Sequence, residues 1–444
     1  MPYLGNLDRQ AQVVLTWVIC ILQIDRLASC PAAMKEDFGM EFRLTPEQEI
    51  FKRTLREWCE KNIEPMAAEI DGSGNYIPDD IIAGLADLGV LGISIPEQYG
   101  GSMMLGESMT LANIAIQEIA RADLSMSVPV YILLQLGWSL LVTKHATEEL
   151  RKEILPKVAA GEYFLGICTT EPGGGSDVAN FKTAARIEGD KLIINGEKAY
   201  ISGVNETTVQ RDGGHLTLFR TDPQAGHRGF TFAYVPARSK GITPSLEDDL
   251  GRGGLSTGGF VYKDVEIPAR YVLGEINKGF YLNMEGFNMA RILVAAACIG
   301  AAEKSLEISR DYVKQRVAFG RPLSKFEGIS FEIAEDQAKL AQLKLYLQYT
   351  AWMADQFYAD PGSYTWRDIT HAVSICKLEA PLLALEIVKH CMMHHGAFGY
   401  TSECPLGMAF RGVMSYVVGA EGGANIQKLI IAREFIGDEA IPYR

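Results

Sequence analysis

The hydrophobic period of this chain changes twice, and that pattern restricts the fold more than any other feature. From about residue 40 to 160 apolar residues recur at helical spacing. Thr45-Pro46-Glu47-Gln48 combines a capping residue, a proline at the first helical position and an acid in the first turn; Ile50, Phe51, Leu55, Trp58 and Ile63 follow. Further helices are predicted over 79–88, 108–121, around 132–142 and over 148–158. After Gly161 the apolar runs shorten and become β-branched and aromatic. Strands are predicted over 181–187, 191–194, 197–201, 215–219, 230–235 and 260–267, split by turns such as Glu188-Gly189-Asp190 and Asn195-Gly196. No strand–helix–strand rhythm occurs, so a dinucleotide-binding α/β fold is excluded. From Phe280 long helices return, over 290–317, 329–358 and 369–395, with Pro381 expected to kink or interrupt the third. The expected class is α+β: an N-terminal α-helical domain (40–160), a middle antiparallel β-barrel or sandwich domain (161–275) and a C-terminal four-helix-bundle domain (276–444). Residues 1–39 are read as an unstructured leader or a misassigned start.

Composition removes several function classes. Fifty-five acids against 42 bases give a net charge of −13 over 444 residues, which repels phosphate backbones and excludes nucleic acid as a general partner. Eight scattered cysteines without a Cys-x-x-Cys pair argue against a disulfide scaffold or a thiolate zinc site, and fit a reducing cytoplasmic location. The apolar run 13–24 is too short to span a bilayer, so no stable membrane anchor is expected. Leu27-Ala28-Ser29-Cys30 looks like a lipoprotein cleavage box, but Asp25 and Arg26 in front of it and a weak positive flank disfavour export. The adjacent His394 and His395 point to different helix sides, so no metal site is expected there. Glycine is abundant, 44 residues, and clustered at Gly173-Gly174-Gly175, Gly253-Gly254, Gly258-Gly259 and Gly422-Gly423, where backbone can approach a ligand closely.

The segment Cys168-Thr169-Thr170-Glu171-Pro172-Gly173-Gly174-Gly175-Ser176-Asp177 joins glycines to flanking hydroxyls, and no Gly-Lys-Ser/Thr makes it a Walker loop. With Tyr200-Ile201-Ser202 it resembles the flavin-binding stretch of acyl-CoA dehydrogenases. Arg316-Val317-Ala318-Phe319-Gly320 resembles the Arg-x-x-Phe-Gly motif of that family, and Gly396-Ala397-Phe398-Gly399-Tyr400 its glycine-rich turn. Glu421-Gly422-Gly423-Ala424-Asn425-Ile426-Gln427 resembles the segment that carries its catalytic glutamate. The motifs stand in family order and cover about residues 40 to 433.

The resemblance implies a reaction: FAD and a carboxylate together remove two hydrogens from the α and β carbons of an acyl-CoA thioester, with donors at the thioester oxygen. It implies Glu421 as the base. It implies that Ile167, Cys168, Thr169, Thr170, Gly175 and Ser176, with Tyr200, Ile201 and Ser202, hold the isoalloxazine. Arg316, Phe319, Gly396, Gly423 and Asn425 would contact FAD, Arg316 and Phe319 across a subunit boundary. Ser176, Arg291 and Gly422 would contact substrate. A homotetramer and an electron-transfer flavoprotein as electron acceptor follow from the same resemblance.

The chain departs from the family pattern. The glutamate segment is one residue longer after Arg411; Gly419-Ala420 replaces an aromatic and Gly423 a threonine; Glu327 and Met393 replace glutamines; and 205–214 is an unusual polar loop. Ser127 stands where glutaryl-CoA dehydrogenases carry a substrate-binding arginine, which disfavours a dicarboxylyl substrate. The lost bulk suggests a wide acyl pocket for a branched or cyclic group such as cyclohexane-1-carbonyl-CoA or cyclohex-1-ene-1-carbonyl-CoA. Asp123, expected in that pocket with a raised pKa, is a second candidate proton acceptor, suited to a 1,4-dehydrogenation. The alternatives are an ordinary α,β-dehydrogenase of straight-chain acyl-CoA and an FAD-binding protein without dehydrogenase activity.

Overall fold

The structure is a computed structural model that describes residues 43–104, 106–360 and 362–440; the expected leader lies outside the described residues. Helix α1 (Pro46–Asn62) opens on a full capping box: the Thr45 hydroxyl accepts from the Gln48 amide, and the Gln48 side chain accepts from the Thr45 amide. Helices α2 (Ala67–Asp71), α3 (Asp79–Asp87), α4 (Ser108–Ala122), α5 (Ser127–His145) and α6 (Glu148–Ala159) complete the N-terminal region. Helix α5 is long and apolar enough to cross a membrane, but 89% of its most apolar stretch is buried inside the protein. It is a core helix, with Trp138 fully enclosed.

The middle region is one sheet: β1 (Tyr163–Cys168), β2 (Ala184–Glu188), β3 (Lys191–Ser202), β4 (Asp212–Arg220), β5 (Phe230–Pro236), β6 (Ile242–Glu247) and β7 (Thr257–Pro268), ordered β1-β4-β2-β3-β7-β6 with β5 also on β4. It is mixed rather than wholly antiparallel, because β1 pairs β4 in parallel from Tyr163↔Asp212 to Cys168↔Thr217. Two strands, β1 and β6, fall where the sequence predicts none. The two strands expected over 191–201 are one: Asn195-Gly196 makes a bulge in β3 opposite β7 instead of a hairpin. Gly196 has φ +142°, and a Cβ there would lie 2.6 Å from the Thr183 hydroxyl, so the bulge needs glycine. The polar loop expected over 205–214 is a helical turn, Glu206–Gln210, running into β4. Its Glu206 carboxylate is buried against the Ser256 amide and hydroxyl.

The C-terminal region holds α7 (Gly279–Gln315), α8 (Glu327–Ala359), α9 (Trp366–His394), α10 (Pro405–Val418) and α11 (Ala424–Ile436). Helix α9 runs unbroken through the buried Pro381. Helix α7 is the axis of the fold. Its middle, from Met289 to Ala302, is buried without interruption because α4, α5, α8 and α9 all pack on it.

Candidate active site

A cleft of about 750 Å3 opens where α5, the β1 end, the β6–β7 loop, α7 and the α10–α11 junction meet. Its first wall is the glycine-rich loop after β1. This loop is fixed from beneath by a buried ion pair that the sequence did not disclose. Lys198 Nζ donates to the Thr169 carbonyl at 2.8 Å and to Glu171 at 3.0 Å, and Glu171 also accepts the Lys182 and Thr183 amides at 2.6 and 2.9 Å. Burial pulls the Lys198 pKa down, while the Lys198 charge and the amide donors hold Glu171 below the ordinary carboxylate value. Ile167, Thr169, Thr170, Gly175 and Ser176 therefore present to the cleft. Cys168 does not: its thiol is buried 3.2 Å from the Tyr262 hydroxyl, on the other side of the strand.

The second wall is the end of β3. Tyr200 has φ +58° and 67% of its surface exposed, and with Ile201 and Ser202 it lines the cleft. The Ser202 carbonyl lies 3.1 Å from His215 Nε2; burial lowers the pKa of this imidazole to about 4, so it is neutral at physiological pH and Nε2–H donates. An exposed aromatic, three hydroxyls and an uncrowded glycine loop on one cleft form a platform for a planar, polar-edged ring system, and these residues fit a flavin.

The third wall carries Glu421. It sits between α10 and α11 in a turn of consecutive positive φ values: Ala420 +52°, Glu421 +50° and Gly422 +99°. Arg291, from α7, holds this turn. Its Nε donates to the Glu421 carbonyl at 2.8 Å, and its Nη1 donates to Asn288 at 2.8 Å. Burial lowers the Arg291 pKa to about 10. The buried Gln427 amide donates to the Gly422 carbonyl at 3.1 Å and, more weakly, to that of Glu421 at 3.4 Å. Lys377, a buried lysine of α9, donates to the Tyr416 carbonyl at 2.8 Å and closes the end of α10. Glu421 Oε2 is buried and has no hydrogen-bond partner among the described residues. Desolvation raises its pKa, against the opposing pull of Lys377, Arg291 and Arg252. The extra residue before Glu421 has thus not removed it from the cleft.

Arg291 stands in the cleft wall, but its described bonds go to the glutamate loop and to Asn288, so its first task is to position. Gly422 and Gly423 line the cleft as well. Asp123 does not, which corrects the expectation of a second pocket acid. It is fully enclosed, with one oxygen accepting the Ser125 amide and hydroxyl at 2.9 and 2.5 Å and the other the Val128 amide at 2.7 Å. It caps the start of α5, and desolvation lifts its pKa to about 6. Arg316, Phe319, Gly396 and Asn425 also lie away from the cleft of their own chain; Phe319 is 96% exposed at φ +50°. Among the described residues Asp336, Glu386 and His390 bring three possible metal donors together, but His390 Nδ1 is engaged with Asp336 at 2.9 Å and Glu386 with Lys339.

Comparison with known proteins agrees with this architecture. Residues 45–162 match the acyl-CoA dehydrogenase N-terminal domain, 166–265 the middle domain and 277–436 the C-terminal domain. The acryloyl-CoA reductase (NADH) of Anaerotignum propionicum is 30% identical over 399 residues, covering 89% of this chain and 96% of the relative. A glutaryl-coenzyme A dehydrogenase solved with glutaryl-CoA superposes with a TM-score of 0.82 at 27% identity, over 90% of this chain and 97% of the other. A chain from work on the electron transferring flavoprotein of Acidaminococcus fermentans gives a TM-score of 0.80 at 25% identity, over 90% and 100%. The chain belongs to the acyl-CoA dehydrogenase family, FAD-dependent oxidoreductases that act on the CH–CH bond of acyl-CoA thioesters.

Proposed function

We propose that this enzyme carries out α,β-dehydrogenation of an acyl-CoA with Glu421 as the proton acceptor. The observation that carries the reading is the buried, unpartnered Oε2 of Glu421 in a cleft that also fits a flavin. Desolvation raises its proton affinity towards that needed for an α-proton, and Arg291 fixes its backbone so that the carboxylate points at one place. In this reading the Glu421 amide donates to the thioester oxygen, which would stabilise the developing enolate. Thr170, Ser176, Tyr200, Ile201 and Ser202, which line the cleft, would hold the isoalloxazine, and Ser176 would also meet the CoA side. FAD, when bound, supplies the acceptor for the β-hydride.

The acyl wall at Gly419, Ala420 and Gly423 is free of bulk, which supports a branched or cyclic acyl group. A 1,4-dehydrogenation of a cyclohexene-carboxyl ester loses its support, because the acid it required caps α5 instead. We further propose a homotetramer in which Arg316 and Phe319 reach the FAD of a neighbouring subunit. The exposure of Phe319, Tyr400 and Phe435, 96%, 92% and 87%, supports burial against another copy. Family membership supports an electron-transfer flavoprotein as acceptor, and six described cysteines that are all buried and unpaired support a reducing cytoplasm. The test is anaerobic: purified yellow enzyme mixed with a panel of branched, cyclic and straight acyl-CoAs should bleach at the flavin band. Protein that neither carries nor takes up FAD, or whose flavin no acyl-CoA bleaches, refutes the reading.

A further inference from the structure

Among the described residues, three buried polar atoms on the cleft walls lack a partner: Glu421 Oε2, the Tyr416 hydroxyl and Arg252 Nε. The first belongs to the base. The other two can both donate, and a guanidinium nitrogen can do nothing else. Tyr416, in the last turn of α10, is 1% exposed. Arg252 lies in the β6–β7 loop, and this loop is locked. A Cβ on Gly251 would fall 2.9 Å from the Arg411 Cβ, and one on Gly253 would fall 1.9 Å from the Asp71 carbonyl oxygen. The Gly253 and Gly254 amides donate to Asp71 and to the Ser127 hydroxyl at 3.2 and 3.0 Å. Arg252 itself holds φ +63° without being glycine, a conformation kept only where the surroundings impose it. Its Nη2 donates to Asp249 at 2.8 Å and to Thr257 at 3.2 Å. The charge is therefore already balanced, while Nε remains unmet. Arg252, Tyr416 and Glu421 all line the same cleft.

We propose that Arg252 and Tyr416 form a polar end to the acyl chamber, which accepts a neutral oxygen, hydroxyl or carbonyl, on the acyl group beyond its β carbon. The inference rests on the cleft being the acyl-CoA site. Two unmet buried donors penalise a plain hydrocarbon tail and reward an acceptor, because a site built to hydrogen-bond a substrate oxygen rejects the analogue without it. Asp249 beside the guanidinium disfavours a carboxylate in the same place.

The test is binding, measured calorimetrically on FAD-loaded Glu421→Gln protein, which cannot turn substrate over. Hexanoyl-CoA, 5-oxohexanoyl-CoA and adipoyl-CoA present the same length with no oxygen, a neutral oxygen and a carboxylate. The 5-oxo ester should bind about tenfold or more tighter than hexanoyl-CoA. Tyr416→Phe and Arg252→Met, each added to that background with flavin content checked, should each remove most of that ratio. Equal or tighter binding of hexanoyl-CoA, preference for adipoyl-CoA over the oxo ester, or a ratio unchanged in both variants overturns the proposal. If none of the esters binds and none bleaches wild-type flavin, the acyl-CoA reading of the cleft fails first, and this proposal with it.

Discussion

Replacing Arg291 by methionine tests whether the catalytic carboxylate is held through its backbone. Ala420 and Glu421 are both left-handed non-glycine residues, which costs roughly 1–2 kcal/mol each. Against that, the Arg291 Nε bond to the Glu421 carbonyl comes from a charged, buried donor at 2.8 Å and contributes about 1.5–3 kcal/mol. The Gln427 bonds, at 3.1 and 3.4 Å, are neutral and contribute about 0.5–1.5 kcal/mol each at best. Without the arginine the turn costs about 1 kcal/mol more than its remaining bonds return. Losing about 1.5–3 kcal/mol of bias takes the turn from mostly formed to mostly unformed and lowers the fraction of enzyme with the base in place by roughly fivefold. A second effect is electrostatic. Arg291 opposes the desolvation that raises the Glu421 pKa, so its removal lets that pKa climb further. The reactive form is deprotonated, so the rate increases with pH through the pKa, and its midpoint moves to higher pH in the variant. Anaerobic stopped-flow bleaching at saturating acyl-CoA across neutral pH reads both. Arg291→Lys should recover part of the midpoint but not the rate, since an ammonium lacks the planar Nε geometry. A methionine variant that retains FAD, bleaches within about threefold of wild type and keeps its midpoint would show that Arg291 does not position the base.

Glu421→Gln should keep FAD and lose bleaching by ~10²–10⁴-fold, and near-normal turnover would place the base elsewhere. The same variant should melt at a higher temperature than wild type at pH 8. A carboxylate with a raised folded pKa costs stability once pH exceeds its unfolded value of about 4.3, so the difference should vanish below that pH. Asp123→Ala should destabilise the fold by about 2 kcal/mol through loss of the α5 cap, whereas Asp123→Asn should bleach at near wild-type rate; a bleaching loss with intact folding would return Asp123 to the chemistry. Arg316→Ala should reduce flavin retention and oligomer integrity in the same sample, measured by absorbance and gel filtration, and no change in either refutes its place at a subunit boundary.

The parts of the fold legible in the sequence are those set by local period. The long helices were readable because thirty-odd residues of helical spacing outweigh any single breaker, and Pro381 did not stop α9. Strands β1 and β6 were missed for opposite reasons. Tyr163–Cys168 is an apolar run with a glycine and no alternation, because it is buried against both α5 and β4, while Ile242–Glu247 carries Pro244 and is mostly exposed. Asn195-Gly196 carries a strong hairpin signal, yet the partner of β3 on that side is the distant β7, so the same φ freedom was used for a bulge.

The site divides along the same line. Glu421, Thr170 and Ser202 were named from the sequence because the motifs that hold them resemble those of the family, and all three line the cleft. The groups that set their behaviour could not: Lys198 under the loop, His215 under Ser202, and Lys377 under α10 act through contacts 13 to 42 residues along the chain, and each is an ordinary residue in its own strand or helix. Asp123 shows the converse error. Its apolar neighbours correctly signalled burial and a raised pKa, but Asp123-Leu124-Ser125 is also the signature of a side chain that turns back on its own backbone, and the amides of Ser125 and Val128 claim both oxygens. A buried carboxylate can serve as a base when an oxygen is left unpaired, the state of Glu421 Oε2; when every oxygen is spent on a helix start, as in Asp123, the same burial makes it structure.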